Sequence, residues 1–165
     1  TLRKDNPLLT SRGLSFPEEP LRVVFSKTCN FSRNLIIWNT EVAKTLIAYG
    51  PESISFAESL HLPLGPELLP LQRSDPNCLL QSLADKGCNR VLWECGPSLA
   101  SLAIQQGCIQ ELAVVIAPKL LGGDSANTPL SDFGFTSIDQ AIDLDELDFK
   151  QIDKDLLIKI NLSRN

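Results

Sequence analysis

Val91-Leu92-Trp93-Glu94-Cys95-Gly96-Pro97-Ser98-Leu99-Ala100-Ser101 is the stretch on which the reading of this chain turns. Its first half, Arg90 to Glu94, reads as a buried strand. Its second half opens a helix from about Ser98 to Gln106, with Leu99, Leu102 and Ala103 inward and Gly107 at its end. In open α/β sheets, ligands gather at such strand-to-helix corners, where unpaired backbone N–H groups and the positive end of the helix dipole meet anionic oxygens. Gly96 removes the side chain that would hold a diphosphate away, Pro97 occupies the first turn without wasting a donor, and Ser98 adds a hydroxyl. The same residues are also a good helix start and nothing more, so the corner alone leaves both readings open.

Three neighbours of the corner carry alternatives of their own. Cys95 sits where a helix dipole lowers a thiol pKa, as a nucleophile requires, or it is a small residue packed near a core. Its one available base is His61, the single histidine, in a Pro-rich stretch without recognisable spacing to it. Glu94 is either a rim carboxylate for a hydroxylated substrate or an acid stabilising the helix that follows. Trp93, like Trp38, reads as core rather than as a stacking platform.

Upstream, Leu21 to Ser26, Leu35 to Trp38 and Thr45 to Tyr49 read as buried strands, the last ended by Gly50-Pro51. Glu67 to Leu71 reads as an edge strand, because proline is tolerated there. Asn77 is the expected cap of a helix whose Leu79, Leu80 and Leu83 share a face, closed by Lys86-Gly87. Before all of these, Asp5-Asn6-Pro7 through Gly13 reads as loop, and its Arg12, beside Thr10 and Ser11, has the planar fork that grips a phosphate. Downstream, Leu112 to Ala117 is a strand, and the segment from Pro118 through Gly122-Gly123 to Ser131 has no clear assignment. Ile142, Leu144, Leu147 and Phe149 alternate with a phase slip at Asp145-Glu146, as a bulge makes. Leu156, Ile158, Ile160 and Leu162 alternate again. Helices alternating with buried strands, closed by an antiparallel hairpin, give an α/β fold.

The chain of 165 residues is long enough for one core without staples, and one domain over residues 1–165 is the default expectation. Its net charge of −5 arises wholly after residue 83, crowded between Asp143 and Asp155, and reads as a solvated strand face rather than a metal site. With no Lys/Arg cluster, nucleic-acid binding is not expected. No apolar run approaches a membrane span, and no basic-then-apolar leader opens the chain. Five cysteines without a CxxC pair argue for reduced thiols in a cytosol-like compartment, and a lone histidine cannot supply a two-His zinc site. The absence of any Met suggests an excerpt from a longer polypeptide.

Four collinear motifs together resemble one family: Thr1-Leu2-Arg3-Lys4-Asp5-Asn6-Pro7-Leu8-Leu9-Thr10-Ser11-Arg12, Leu21 to Ser26, Glu94-Cys95-Gly96-Pro97-Ser98-Leu99-Ala100, and Ala117-Pro118-Lys119-Leu120-Leu121-Gly122-Gly123. They are similar to the reductase domain of riboflavin-biosynthesis deaminase/reductase proteins. The resemblance implies a dihydrofolate-reductase-like α/β fold, with a mixed, mostly parallel sheet flanked by helices and a C-terminal antiparallel hairpin. It implies NADPH-dependent reduction of 5-amino-6-(5-phosphoribosylamino)uracil to its ribitylamino product, in the cytoplasm or a plastid stroma, by a homodimer. By motif position, Thr1, Asp5 and Ser26 line the NADPH site, and Gly96, Pro97, Ser98, Leu99, Ala100, Ser101 and Leu102 wrap the diphosphate. Leu9, Arg12 and Glu94 face the substrate, Arg12 at its phosphate. No metal is implied for this domain. Cys95 stands where the family usually has glycine. The family pattern also places a strand, a helix and a second strand ahead of Thr1, and a zinc deaminase domain besides. A catalytically silent fragment or dinucleotide-binding module is therefore the alternative expectation.

Overall fold

The computed structural model describes residues 2–14, 18–60, 65–120, 122, 128–144 and 146–162. Thr1, His61, Leu121, Gly123 and Asp145, all singled out above, lie outside the described residues, and so does the expected bulge at Asp145. The chain divides into two compact units, Thr1–Val91 and Leu92–Asn165.

The first unit is built on a parallel sheet of β1 (Arg22–Phe25), β2 (Thr45–Tyr49) and β3 (Glu67–Pro70), in the order β1-β2-β3. The register pairs Val24 with Ile47 and Ala48 with Leu69. All five residues of the central β2 are buried, as a strand covered on both faces requires. β3 is an edge strand, which is why Pro70 costs the sheet no ladder bond. Val24, Cys29, Leu35, Ile37, Trp38, Ile47, Tyr49 and Ala57 form the core, with Leu2 and Leu9 packed against it.

Leu35 to Trp38 is not a strand. Residues Ile36–Trp38 form a 3-10 turn, with the Trp38 N–H donating to Leu35 O at 3.1 Å and the indole N–H to Ser32 O at 2.9 Å. Leu35, Ile37 and Trp38 are buried while Ile36 is exposed. A four-residue apolar run cannot separate strand from tight helix by periodicity, and here the three-residue turn buries more of it.

The unit also holds the single turn α1 (Leu2–Asp5), the short α2 (Ile54–Ser59) and α3 (Pro76–Asp85). The cap of α3 is Asp75, not Asn77: its carboxylate accepts the Cys78 N–H at 2.9 Å, and Pro76 fills the first helical position, where no donor is needed. Gly87, at φ 87°, closes the helix. Its own N–H donates to Ala84 O and that of Cys88 to Leu83 O, satisfying two terminal carbonyls.

In the second unit α4 (Pro97–Gln105) ends in the same manner at Gly107, φ 65°, with Cys108 N–H on Ala103 O at 2.9 Å. An antiparallel sheet follows, made of β4 (Glu111–Ile116), β5 (Glu146–Ile152) and β6 (Asp155–Asn161) in the order β4-β6-β5. The expected hairpin is thus present, with Ile152 opposite Asp155 across its turn. Its first arm starts at Glu146, so Ile142 and Leu144 precede it. The chain just upstream is committed instead to a turn at Ile138–Gln140, whose Gln140 side chain accepts the Thr136 N–H at 2.7 Å. The run Arg90 to Glu94 is likewise not a ladder strand: it pairs with no strand among the described residues, and Leu92 is 80% exposed. β-propensity describes a fit to a pleated neighbour, and where no neighbour is paired the propensity forms no strand.

Candidate functional site

Leu99 and Ala103 are drawn inward on α4, half-buried and buried respectively, so the helix presents its start, Gly96-Pro97-Ser98, at the surface. Gly96 is extended at φ −76° and ψ 170°, and no side chain caps this end. That backbone suits any residue, so glycine is not needed there for conformation; its effect is to leave the first turn bare. Pro97 and Ser98 are exposed, and the corner is open. Behind it, buried Ser101 accepts the Ser131 N–H at 2.8 Å and donates to Ser131 O, which spends its hydroxyl on holding the following loop. Leu99, Ala100 and Leu102 are half-buried and Glu94 is exposed. Such a nine-residue helix with an uncapped start offers N–H donors and a positive dipole end to an anion. Cys95 does not fit an activated nucleophile: burial pushes its thiol up, the reverse of what a dipole-activated cysteine shows.

The remaining candidates, Asp5, Leu9, Arg12 and Ser26, belong to the first unit. Asp5 is exposed at the end of α1. Leu9 and Arg12 both take left-handed backbone, φ 51° and 49°, which non-glycine residues adopt at a cost that their surroundings must sustain. Two anchors sustain it. Arg22, 2% exposed, donates from Nη1 to Leu8 O at 3.0 Å. The same guanidinium reaches Thr45 Oγ1 at 3.0 Å and the carbonyls of Asn39 and Ala43, both at 2.7 Å. At the other end, the Glu19 carboxylate accepts both the N–H and the hydroxyl of Ser11 at 2.8 Å, bonds that hold its pKa below the usual carboxylate value. Between these anchors Arg12 is exposed and has no hydrogen-bond or ion-pair partner among the described residues, so its fork is available to a ligand. Leu9 is half-buried against the core.

Ser26 lies just past β1, at the carboxyl edge of the parallel sheet. Its N–H donates to Ala48 O at 3.0 Å and its hydroxyl accepts the Cys29 N–H at 3.1 Å, closing the turn that places Cys29 at φ 47°. Along this edge the structure gathers residues that sequence reasoning missed: Gly50 after β2, Glu52 and Ser53 behind it, and Ser74 from the segment after β3. The Ser53 hydroxyl donates to Lys27 O, tying the two strand ends together. The available signal was topological, since ligands of open α/β sheets bind beyond the carboxyl ends of strands, and three parallel strands were already legible or partly so. A cavity of about 410 Å³, lined by Leu21, Lys44, Leu46, Glu67 and Lys86, lies instead at the amino ends of β2 and β3. The positions with open corners and left-handed backbone outweigh it, because two of its three charged lining residues are engaged with each other in the Lys86–Glu67 ion pair at 2.5 Å.

Comparison with known proteins supplies the context. The RibD C-terminal domain family matches residues 1–158. A riboflavin biosynthesis protein RibD of Synechocystis is 37% identical over 161 residues, covering 95% of this chain and 42% of that protein. The chloroplastic riboflavin biosynthesis protein PYRR of Zea mays is 32% identical over 158 residues, covering 96% of this chain and 25% of its own length. The chain therefore spans less than half of these curated relatives. Among solved structures, Acinetobacter baumannii RibD superposes with a TM-score of 0.76 at 25% identity, over 99% of this chain and 45% of that one. A Thermotoga maritima deaminase/5-amino-6-(5-phosphoribosylamino)uracil reductase shares the fold at a TM-score of 0.73 and 21% identity, over 98% of this chain and 42% of that one.

Proposed function

This chain belongs to the RibD C-terminal domain family, and on that premise we propose that it is an NADPH-dependent reductase acting on 5-amino-6-(5-phosphoribosylamino)uracil in riboflavin biosynthesis. The observation that carries the reading is the open, uncapped start of α4 at Gly96-Pro97-Ser98, inside a family match that runs along almost the whole chain. A bare helix start suits a diphosphate, because its first N–H groups and the positive dipole end face an anion.

The nicotinamide, when bound, supplies the hydride, delivered to the ribose carbon that carries the amine. The chain's own task is positioning, which for a hydride transfer is the larger part of what a protein contributes. Gly96 through Leu102 wrap the diphosphate, with the first-turn N–H groups of Ser98 and Leu99 as donors, since Pro97 has none and the Ala100 N–H is given to Gly96 O, and Ser101 fixes the loop behind them. Thr1, Asp5 and Ser26 line the rest of the cofactor site. Arg12 grips the substrate phosphate with its planar fork, Leu9 sets the wall beside it, and Glu94 accepts hydrogen bonds from substrate hydroxyls. Strain at Leu9 and Arg12 supports this assignment, because left-handed non-glycine residues held by a buried arginine are what a ligand clamp looks like.

The proposal extends to assembly. On β4-β6-β5, Leu112, Val114, Ile158, Ile160, Leu147 and Phe149 share one face by register, and Phe149 is 74% exposed. A second copy is the expected occupant of that apolar face, giving a homodimer. No helix among the described residues is long and apolar enough to cross a membrane. The cytoplasm, or a plastid stroma as the chloroplastic relative's name suggests, is the proposed location.

NADPH fluorescence titration together with turnover of the phosphoribosylaminouracil tests the reading. Binding and turnover support it, binding without turnover leaves a dinucleotide-binding module, and absence of binding removes the cofactor assignment. Arg12→Ala is expected to raise substrate KM and leave NADPH affinity unchanged; equal loss of both would show that Arg12 is misassigned.

A further inference from the structure

Arg12 stands in a tight turn whose form is costly for it. The Leu14 N–H donates to Ser11 O at 3.2 Å, and the two residues between, Arg12 and Gly13, have φ 49° and 86°. Positive φ at both central positions belongs to the type I′ class, which glycine, asparagine and aspartate enter readily and other side chains do not. Gly13 meets that demand at its own position, whereas Arg12 carries a Cβ and has to be held from outside. Packing does not hold it: a Cβ built on Gly13 meets nothing within 4 Å, so the turn stands clear of the rest of the unit there. The hold comes from Glu19, eight residues beyond Ser11. One carboxylate oxygen accepts the Ser11 N–H and the other the Ser11 hydroxyl, both at 2.8 Å, so the first residue of the turn is gripped at two points. Both bonds have an ionised acceptor, which makes them the stronger class of hydrogen bond. The same hydroxyl lies 3.4 Å from Leu14 O, at the other end of the turn. Among the described residues Arg12 forms no ion pair with this carboxylate or with any other.

We infer that Glu19 is a positioning residue for the substrate phosphate: through Ser11 it keeps the turn from Ser11 to Leu14 formed, and so keeps the Arg12 fork aimed before the substrate arrives. The inference rests on the proposed role of Arg12 and deepens it. A guanidinium pairs with a phosphate in two parallel bonds only while its fork points at it, and apparent affinity falls with the fraction of molecules in which the turn is formed. Return of Arg12 to right-handed backbone would open the turn and re-aim the side chain. Glu19 acts on Ser11 and not on the fork, and its charge taken alone repels a phosphate. Aiming and repulsion therefore predict opposite effects of its removal, which makes the two roles separable.

The test compares the protein with Glu19→Ala, Glu19→Gln, Ser11→Ala, Arg12→Ala and the double variant of Glu19→Ala with Arg12→Ala. It reads KM and kcat for the phosphoribosylaminouracil at saturating NADPH, NADPH affinity by fluorescence, and ribose 5-phosphate affinity by NMR titration. Glu19 and Arg12 are exposed, so these variants keep the fold, and thermal melts check this. Glu19→Ala should raise KM and weaken ribose 5-phosphate about fivefold or more, with kcat and NADPH affinity unchanged within about twofold. Glu19→Gln keeps an acceptor oxygen for the Ser11 N–H, and Ser11→Ala keeps that N–H, so each should lose less than Glu19→Ala. In the Arg12→Ala background Glu19→Ala should add less than about twofold, because no fork is left to aim; a merely structural role adds its full effect there. Full additivity, or a KM that stays level or falls in Glu19→Ala while Arg12→Ala raises it, overturns the role of Glu19 alone. Ribose 5-phosphate affinity indifferent to Arg12→Ala overturns the assignment of Arg12 and this inference with it. A protein without turnover whose ribose 5-phosphate affinity still follows the expected pattern removes the reductase reading and leaves the role of Glu19 standing.

Discussion

Removing the Arg22 side chain should unfasten most of the first unit. Arg22 is 2% exposed and its guanidinium donates to four acceptors, Thr45 Oγ1 and the carbonyls of Leu8, Asn39 and Ala43, so it ties the loop ahead of β1 to the segment 39–45 that leads into β2. Each hydrogen bond from a charged donor contributes about 1.5–3 kcal/mol, but such bonds do not add, and three carbonyls left behind retain some access to other donors. The expected loss for Arg22→Ala is about 4 kcal/mol, a large share of the roughly 5–15 kcal/mol that holds a domain folded. Arg22→Lys keeps the charge yet has no fork with which to span four acceptors, so it should lose about 2 kcal/mol. Urea denaturation followed by tryptophan fluorescence reads these values, since Trp38 lies in the same core. Thr45→Val, alone and combined with Arg22→Lys, closes a double-mutant cycle whose coupling should be about 1 kcal/mol. An Arg22→Ala protein within about 1 kcal/mol of the parent would refute the reasoning, because a buried fork with four partners cannot be that dispensable. A second consequence is functional: freeing Leu8 O loosens the strained Leu9–Arg12 loop, so Arg22→Lys should raise substrate KM under conditions where it is still fully folded.

Gly96→Ala should lower stability by about 1 kcal/mol at most, the ordinary difference between Gly and Ala at an N-cap since φ −76° accepts a Cβ, while weakening dinucleotide binding about tenfold by standing in the path of the phosphates. A parallel loss of stability and affinity would point to a structural role instead. Gly107→Ala should behave in the opposite way: φ 65° disfavours any side chain, so about 1–2 kcal/mol of stability should vanish with no change in dinucleotide affinity at saturation of the folded state. For Glu19, whose folded pKa is depressed below 4.5 chiefly by the Ser11 backbone N–H, the bonds to Ser11 are intact above that pH and are lost as pH falls through the lower folded value. The protection factor of the Ser11 amide, its rate taken against the intrinsic rate at the same pH, should therefore fall in the parent as the pH drops below 4.5 and through the lowered folded pKa, and be low throughout in Glu19→Ala; a protection factor that stays flat through acid in the parent would contradict the linkage. Burial raises the thiols of Cys29 and Cys95, so iodoacetamide at pH 8 should modify both more slowly than in urea-unfolded chain, and a fast Cys95 would revive it as a nucleophile.

Much of the fold was readable because it depends on local periodicity and local turn chemistry. The alternation at Leu147, Phe149, Leu156, Ile158 and Ile160 marks a sheet with one apolar face. Gly87 and Gly107 stop α3 and α4 because both helices end in a left-handed residue. The Gly96 corner was legible for the same reason, as a bare helix start written within three consecutive residues. What sequence left open depends on partners far along the chain. Leu35 to Trp38 carries strand-like composition, yet burial of Leu35, Ile37 and Trp38 in one core with Val24, Ile47 and Tyr49 selects a tight turn. Arg90 to Glu94 has the propensity of a strand, but a ladder also needs a neighbour to supply its hydrogen bonds. Arg22 read as one polar residue in an apolar run. Only the folded chain brings Leu8, Asn39, Ala43 and Thr45 within reach of it and so explains why burying its charge is tolerated. The left-handed backbone at Leu9 and Arg12, and the meeting of Gly50, Glu52 and Ser74 across the sheet edge, belong to that same class. By itself the sequence determined the family, the α/β class and the open helix start, because these follow from residue order over short spans. Tertiary structure decided which side chains were spent on holding the fold and which were left for a ligand, because that division rests on contacts between residues tens of positions apart.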